Sequence, residues 1–195
     1  MDIKKIGKEN KIYLLRIIII LIYIISAYTI VSVFPSGYIT LQSQPTLTVT
    51  PLSASIAKGT PIVVAITASN YQNLYAYQFD MNYNPDVLSF KSISFSNALG
   101  DVNAGQAFCV PSSNPQIGPG NVKNIACTRT IPGGLDGTAI LANITFNTTA
   151  IGASNLALSN AVLVSADMQS ISHSIVNSAV SVVRATKTPP RTARK

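Results

Sequence analysis

Ten residues, Leu74 to Tyr83 (LYAYQFDMNY), alternate large apolar side chains with small or polar ones at a period of two. A β-strand sends successive side chains to opposite faces, so this stretch reads as a strand with two unlike sides. Tyr75, Tyr77, Phe79, Met81 and Tyr83 share the side expected in the core. Ala76, Gln78, Asp80 and Asn82 share the outward side. From Thr46 onward the chain breaks into short alternating or β-rich runs punctuated by turn residues, the pattern of an all-β sandwich. Strands are expected near 46–50, 61–68, 74–83, 87–95, 106–110, 122–131, 138–147, 155–164 and 174–183, nine in all and enough for two sheets. Turn signals fall between them at Lys58-Gly59, Asn84-Pro85-Asp86, Leu99-Gly100-Asp101, Gly133-Gly134 and Ile151-Gly152.

The run 138–147 alternates in the same way, with Ile140, Ala142, Ile144 and Phe146 expected inward and Leu141, Asn143, Thr145 and Asn147 outward. Asn143-Ile144-Thr145 and Asn147-Thr148-Thr149 are both N-glycosylation sequons, used only in a host with the machinery. Residues 44–183 are rich in Val, Ile, Thr, Ser, Ala and Asn, which leaves helix a minor component.

The formal charge of +7 does not belong to this β-rich body. Lys4, Lys5, Lys8, Lys11 and Arg16 crowd the first 34 residues, and Arg184, Lys187, Arg191, Arg194 and Lys195 crowd the last 12. Between them Lys58, Lys91, Lys123 and Arg129 face five aspartates, a net charge of −1. A nucleic-acid-binding domain would carry its basic residues as a folded patch, so nucleic acid is not an expected partner.

Residues 17–34 (IIIILIYIISAYTIVSVF) form an apolar run with no charge, long enough to span a membrane as one hydrophobic helix. Apolar character continues past the cleavage-like Ile25-Ser26-Ala27, which favours an uncleaved anchor over a cleaved signal peptide. The five basic residues before it place the N-terminus in the cytoplasm and the remainder outside a cell membrane; cleavage would instead leave a secreted protein. The expected organisation is a membrane segment at 1–34, a stalk at 35–45, the sandwich at 46–183, and a disordered basic tail at 184–195 (RATKTPPRTARK).

Cys109 and Cys127 are the only cysteines, and an even pair in an oxidising compartment reads as a disulfide. The turn-rich connection between them, with Pro111, Pro115, Gly118, Pro119 and Gly120, suits bringing two strands side by side. Two cysteines and one histidine offer too few ligands for a metal site, and no cofactor is expected. Catalysis finds little to work with. His173 stands alone; Asp80, Asp86, Asp101, Asp136 and Asp167 have no glutamate among them in the body, and three of the five lie in turns. Asp101-Val102-Asn103-Ala104-Gly105 lacks the closing bidentate glutamate of a calcium loop. The chain is expected to bind, not to catalyse.

Three segments in order carry a family resemblance: Gly59 with TPIVVAITASN, NLYAYQFDMNYNPDVLSFKSISF at 73–95, and GTAILANITFNTTAIGASNLALSNAVL at 137–163. Together they resemble the cohesin domain, the sandwich module that captures dockerin domains in cellulosomes and other extracellular assemblies. The resemblance implies a nine-stranded jelly-roll, related in architecture to carbohydrate-binding modules. It also implies a dockerin-like protein partner at the cell surface, in a polysaccharide-degrading context, with contacts on Ala76, Gln78, Asp80 and Asn82. Where familiar cellulosomal cohesins carry an Asn and an Asp on this strand, the present chain has Ala76 and Gln78. The alternative is a carbohydrate-binding module or a structural envelope subunit. A polysaccharide would need exposed rings, for which only Tyr71 is an obvious candidate, since tryptophan is absent.

Overall fold

β-Branched runs and turn residues divide the chain into eleven strands in the computed structural model, which describes residues 43–110 and 116–185. They are β1 (Thr46–Thr50), β2 (Ser53–Ala57), β3 (Ile62–Asn82), β4 (Leu88–Phe95), β5 (Ala107–Val110), β6 (Gln116–Gly118), β7 (Asn121–Arg129), β8 (Leu135–Thr148), β9 (Gly152–Ser165), β10 (Ser174–Val176) and β11 (Ser178–Val183). A single 3-10 turn, Asn97–Leu99, is capped by the Ser96 hydroxyl, which accepts from Ala98 N. The expected membrane segment, most of the expected stalk and the tail from 186 lie outside the described residues. Among the described residues no helix is long and apolar enough to cross a membrane.

The sequence reading expected nine strands, and the difference has physical causes. The runs 61–68 and 74–83 are one strand of 21 residues, because Asn70 and Asn73 take left-handed backbone angles (φ 57° and 55°) that bend the strand without ending it. Asparagine tolerates this region better than most residues. The run 174–183 is two strands, divided at Asn177, whose side-chain oxygen accepts from Leu158 N at 3.0 Å. The short strands β2 and β6 carry too little alternation to be read from sequence.

The bend in β3 makes it a member of both layers. Its first part pairs with β1 and β8, giving one sheet in the order β10–β1–β3–β8–β4. From Leu74 onward it pairs with β9 and β7, giving the second sheet β2–β11–β9–β3–β7, with β5 and β6 end to end along the far edge of β7. The inward phase changes accordingly. Ile62, Val64, Ile66 and Ala68 are buried in the first part, and Tyr77, Phe79 and Met81 in the second. The two inner faces close on one core, where the Phe146 ring meets Tyr83 at 4.9 Å and Phe90 at 6.4 Å. The Tyr77 hydroxyl donates to Leu141 O at 3.0 Å, tying the second sheet to the first.

Two expected orientations are corrected. Ile140 is 44% exposed and Leu141 fully buried, the reverse of strict alternation. Ile66 pairs with Ala142 and Thr67 with Ile140, so Leu141 is the extra residue of a bulge and turns inward. Tyr71, expected exposed, is buried, with burial and the nearby Asp136 carboxylate raising its pKa.

Asp80 is the third correction. It lies on the outward side of β3 but is only 7% exposed. Both neighbours bulge opposite it: β7 inserts a residue between the Phe79 and Met81 pairings, and β9 inserts one between the Gln78 and Asp80 pairings. The inserted turns contain Asn124 (φ 57°) and Asn160 (φ 50°). Asn124 N donates to Asp80 Oδ1 and Asn160 Nδ2 donates to Asp80 Oδ2, both at 2.8 Å. The carboxylate thus clamps three strands together.

Phe79→Ala should cost about 3–5 kcal/mol by removing a fully buried ring. Asp80→Ala should cost about 1–3 kcal/mol, because Asn124 N–H loses its acceptor. Urea unfolding followed by tyrosine fluorescence measures both; an Asp80→Ala change within about 0.5 kcal/mol, as for an ordinary surface site, would contradict the clamp. Burial also holds the Tyr77 hydroxyl well above the ordinary tyrosine value of 10.0. The unfolded chain therefore ionises this group first, so its contribution is complete below about pH 10 and is lost as pH rises beyond that. Tyr77→Phe should flatten the alkaline loss of stability, at a cost of about 1 kcal/mol for the hydrogen bond to Leu141 O.

Candidate functional site

Residues paired directly across neighbouring strands project to the same side of a sheet, so the register of β9, β3, β7 and β5 defines what the second sheet shows to solvent. One cross-strand row is Val164, Ala76, Thr128 and Phe108. The next is Val162, Gln78, Ala126 and Val110. Between the rows Leu163, Tyr77, Cys127 and Cys109 point into the core. The outward rows enclose an open depression of about 300 Å³. Its middle strands contribute the small Ala76 and Ala126, while Phe108 and Val110 stand on one side and Val162 and Val164 on the other. None of the eight side chains is ionisable, and Gln78 is the one amide among them.

The four residues expected on this face occupy three different settings. Ala76 and Gln78 line the depression. Asp80 is the buried clamp. Asn82 lies beyond it in a second, more polar depression of about 410 Å³ with Tyr83, Asn84, Ala153, Asn155 and Ala157. There Asn82 Nδ2 donates to Ser159 Oγ at 2.7 Å and Ala157 O at 3.3 Å. Phe108, Val110, Ala126, Thr128, Val162 and Val164 join Ala76 and Gln78 on the face without having been expected there. The signal was present, since an inward Cys109, Cys127 and Leu163 forces their neighbours outward.

Cys109 and Cys127 face each other across β5 and β7 and form a disulfide, with Cα atoms 4.1 Å apart. The turn-rich connection does bring two strands together, antiparallel and in direct register. The sequons sit on the other sheet, Asn147 exposed and Asn143 half-buried between Ala65 and Ser94.

Most of the remaining polar groups serve the fold. Asp101 Oδ1 accepts from Asn103 N at 2.8 Å, Asp136 Oδ1 from Asn73 N at 2.7 Å, and Asp167 Oδ2 from Asn73 Nδ2 at 2.7 Å. His173 Nδ1 lies 2.9 Å from Ile171 O. Among the described residues no group of three or more His, Cys, Asp or Glu is placed to hold a metal ion. What the exposed face can do chemically is bury apolar area against a partner and exchange hydrogen bonds through Gln78 and Thr128.

A search of curated proteins finds no match. Solved structures do match. A non-cellulosomal cohesin from the hyperthermophilic archaeon Archaeoglobus fulgidus is 16% identical, covering 72% of this chain and 92% of its own, with a TM-score of 0.59. The sixth cohesin of Acetivibrio cellulolyticus scaffoldin B, solved with a Cel5 dockerin, is 14% identical, covering 72% and 100%, with a TM-score of 0.58. The OlpC cohesin of Clostridium thermocellum, solved with a dockerin, is 9% identical, covering 73% and 95%, with a TM-score of 0.59. At these identities the likeness is one of fold. The family description "Cohesin domain" matches residues 45–182, nearly the whole β-rich body. The shared sandwich fold and this match agree: the chain belongs to the cohesin family.

Proposed function

We propose that this protein is a non-catalytic docking module that captures a dockerin-like protein partner outside the cell, on the outer face of β9, β3, β7 and β5. The observation that carries the reading is the pair of uncharged cross-strand rows around an open depression, in a chain of the cohesin family. Cohesins of similar fold have been solved with dockerins bound, which supports a partner of that kind. Export and anchoring through residues 17–34, with the N-terminus in the cytoplasm, follow from the apolar run and its basic flank. A role in polysaccharide breakdown would follow from the partner's cargo.

The amide-lined depression around Asn82 offers a second reading, direct contact with polysaccharide. Two of its three amides are engaged within the fold. Asn84 Nδ2 donates to Ala153 O, Asn84 Oδ1 accepts from Asp86 N, and Asn82 Nδ2 is bonded within β9. Tyr71 is buried, and no tryptophan supplies a platform. A protein partner is the better fit.

Affinity capture from the host's secreted and surface proteins with the immobilised full-length chain is the test. A retained protein should carry a pair of dockerin-like calcium loops and should elute on chelation, because such loops fold around calcium. Retention of polysaccharide alone, or of proteins without calcium loops, would overturn the reading.

A further inference from the structure

The chemistry of the exposed face says what kind of contact the partner makes. We propose, resting on the docking reading above, that the partner meets this face through an uncharged apolar ridge, that Phe108 is the anchor selecting it, and that the Cys109–Cys127 bridge is the fastening that positions Phe108.

Charge is the first constraint. The rows Val164–Ala76–Thr128–Phe108 and Val162–Gln78–Ala126–Val110 hold no ionisable group. Asp80, the carboxylate nearest along β3, is buried beneath Asn124 and Asn160 and takes its hydrogen bonds from them. Arg129 follows Thr128 but pairs with the buried Ala107, and its guanidinium donates to Leu99 O at 2.8 Å. Lys123 stands in the β7 bulge, beyond the rows. A partner charge pressed onto this surface would lose its water and find no counter-ion, a costly exchange. The surface therefore selects against charge and for apolar contact.

Shape is the second. Phe108 and Val110 on one side and Val162 and Val164 on the other leave a trough between the flanking strands, low at Ala76 and Ala126 and with Gln78 and Thr128 rising from its floor. A ridge of apolar side chains fills such a trough, and Gln78 and Thr128 remain to align it. Phe108, 57% exposed, is the largest apolar side chain on the face, and aromatic anchors of this kind dominate interface energetics.

The third observation concerns what holds Phe108. Strand β5 has four residues and, among the described residues, one neighbour, β7, which bonds one edge of its backbone. Short edge strands of this kind open at low free energy. The bridge joins the third residue of β5 to the residue opposite it, between Phe108 and Val110. It pins the two side chains that form one wall of the trough. Cys109 and Cys127 are thus positioning residues for the docking face as well as part of the core.

The dockerin-bearing protein recovered by capture is the probe, titrated calorimetrically against the full-length chain. Affinity should change less than about twofold between about 0.05 and 0.5 M salt, because no charge pair is formed or screened. Phe108→Ser should weaken binding about tenfold or more with unchanged melting, and Phe108→Leu should restore most of the loss. The paired Cys109→Ser, Cys127→Ser variant should also bind more weakly, and its Ala107–Val110 amides should exchange faster while those of Ile62–Ala68 stay protected. If the pair fails to fold, the Phe108 variants and the salt series decide the question. A steep loss of affinity with salt, full binding by Phe108→Ser, or full binding by a folded bridge-less chain would overturn the proposal while leaving the docking reading intact. If no dockerin is retained at all, both fall.

Discussion

Strand β3 serves both sheets, and its buried side moves from the even positions up to Ala68 to the odd positions from Tyr77. The reversal coincides with Asn70 and Asn73 in left-handed conformations, where pairing with β8 shifts register at Tyr71 and Leu74 while the other flank passes from β1 to β9. Corners of this kind let one strand bridge packed layers. Most connections between successive strands also cross from one layer to the other, and two of these are short. The chain passes from β1 to β2 through Pro51-Leu52, where Ser178 donates to Pro51 O, and from β10 to β11 at Asn177. The backbone thus joins the layers repeatedly, and the core between them is continuous.

The second half of β3 is also the middle of the proposed docking face, and Asp80 sets its character. A buried carboxylate is expensive unless its hydrogen bonds are satisfied. Here two bulges, one in each neighbouring strand, bring donors to both oxygens. The charge that the sequence places on the outward side is thereby withdrawn from solvent. It divides the face into an apolar part around Ala76 and Gln78 and an amide part around Asn82. A partner in the proposed mode would meet the apolar part, whose far wall is fastened by the disulfide.

Period two in 74–83 was enough to place Phe79 and Met81 in the core, and β1 could be read to its boundaries from TLTVT. The bridge was legible from cysteine number and setting. What could not be read has a common cause. A bulge depends on the strand alongside, so Leu141 and Ile140 exchanged sides and Asp80 was covered for reasons absent from their own segments. The continuity of β3 likewise depends on pairing across a bend that local sequence presents as a turn. The face was only half legible because it is assembled from four strands. The outward placement of Ala76 and Gln78 is legible in one strand, whereas that of Phe108 and Val162 needs the phase of two others.

Methyl-resolved NMR of the chain bound to its captured dockerin tests the central claim most directly, because this face is built largely from methyl-bearing side chains. The account predicts intermolecular contacts to the methyls of Ala76, Ala126, Val110, Val162 and Val164, which line the depression. Contacts confined to the opposite sheet, at the exposed Val63 and its neighbour Thr145, would contradict it.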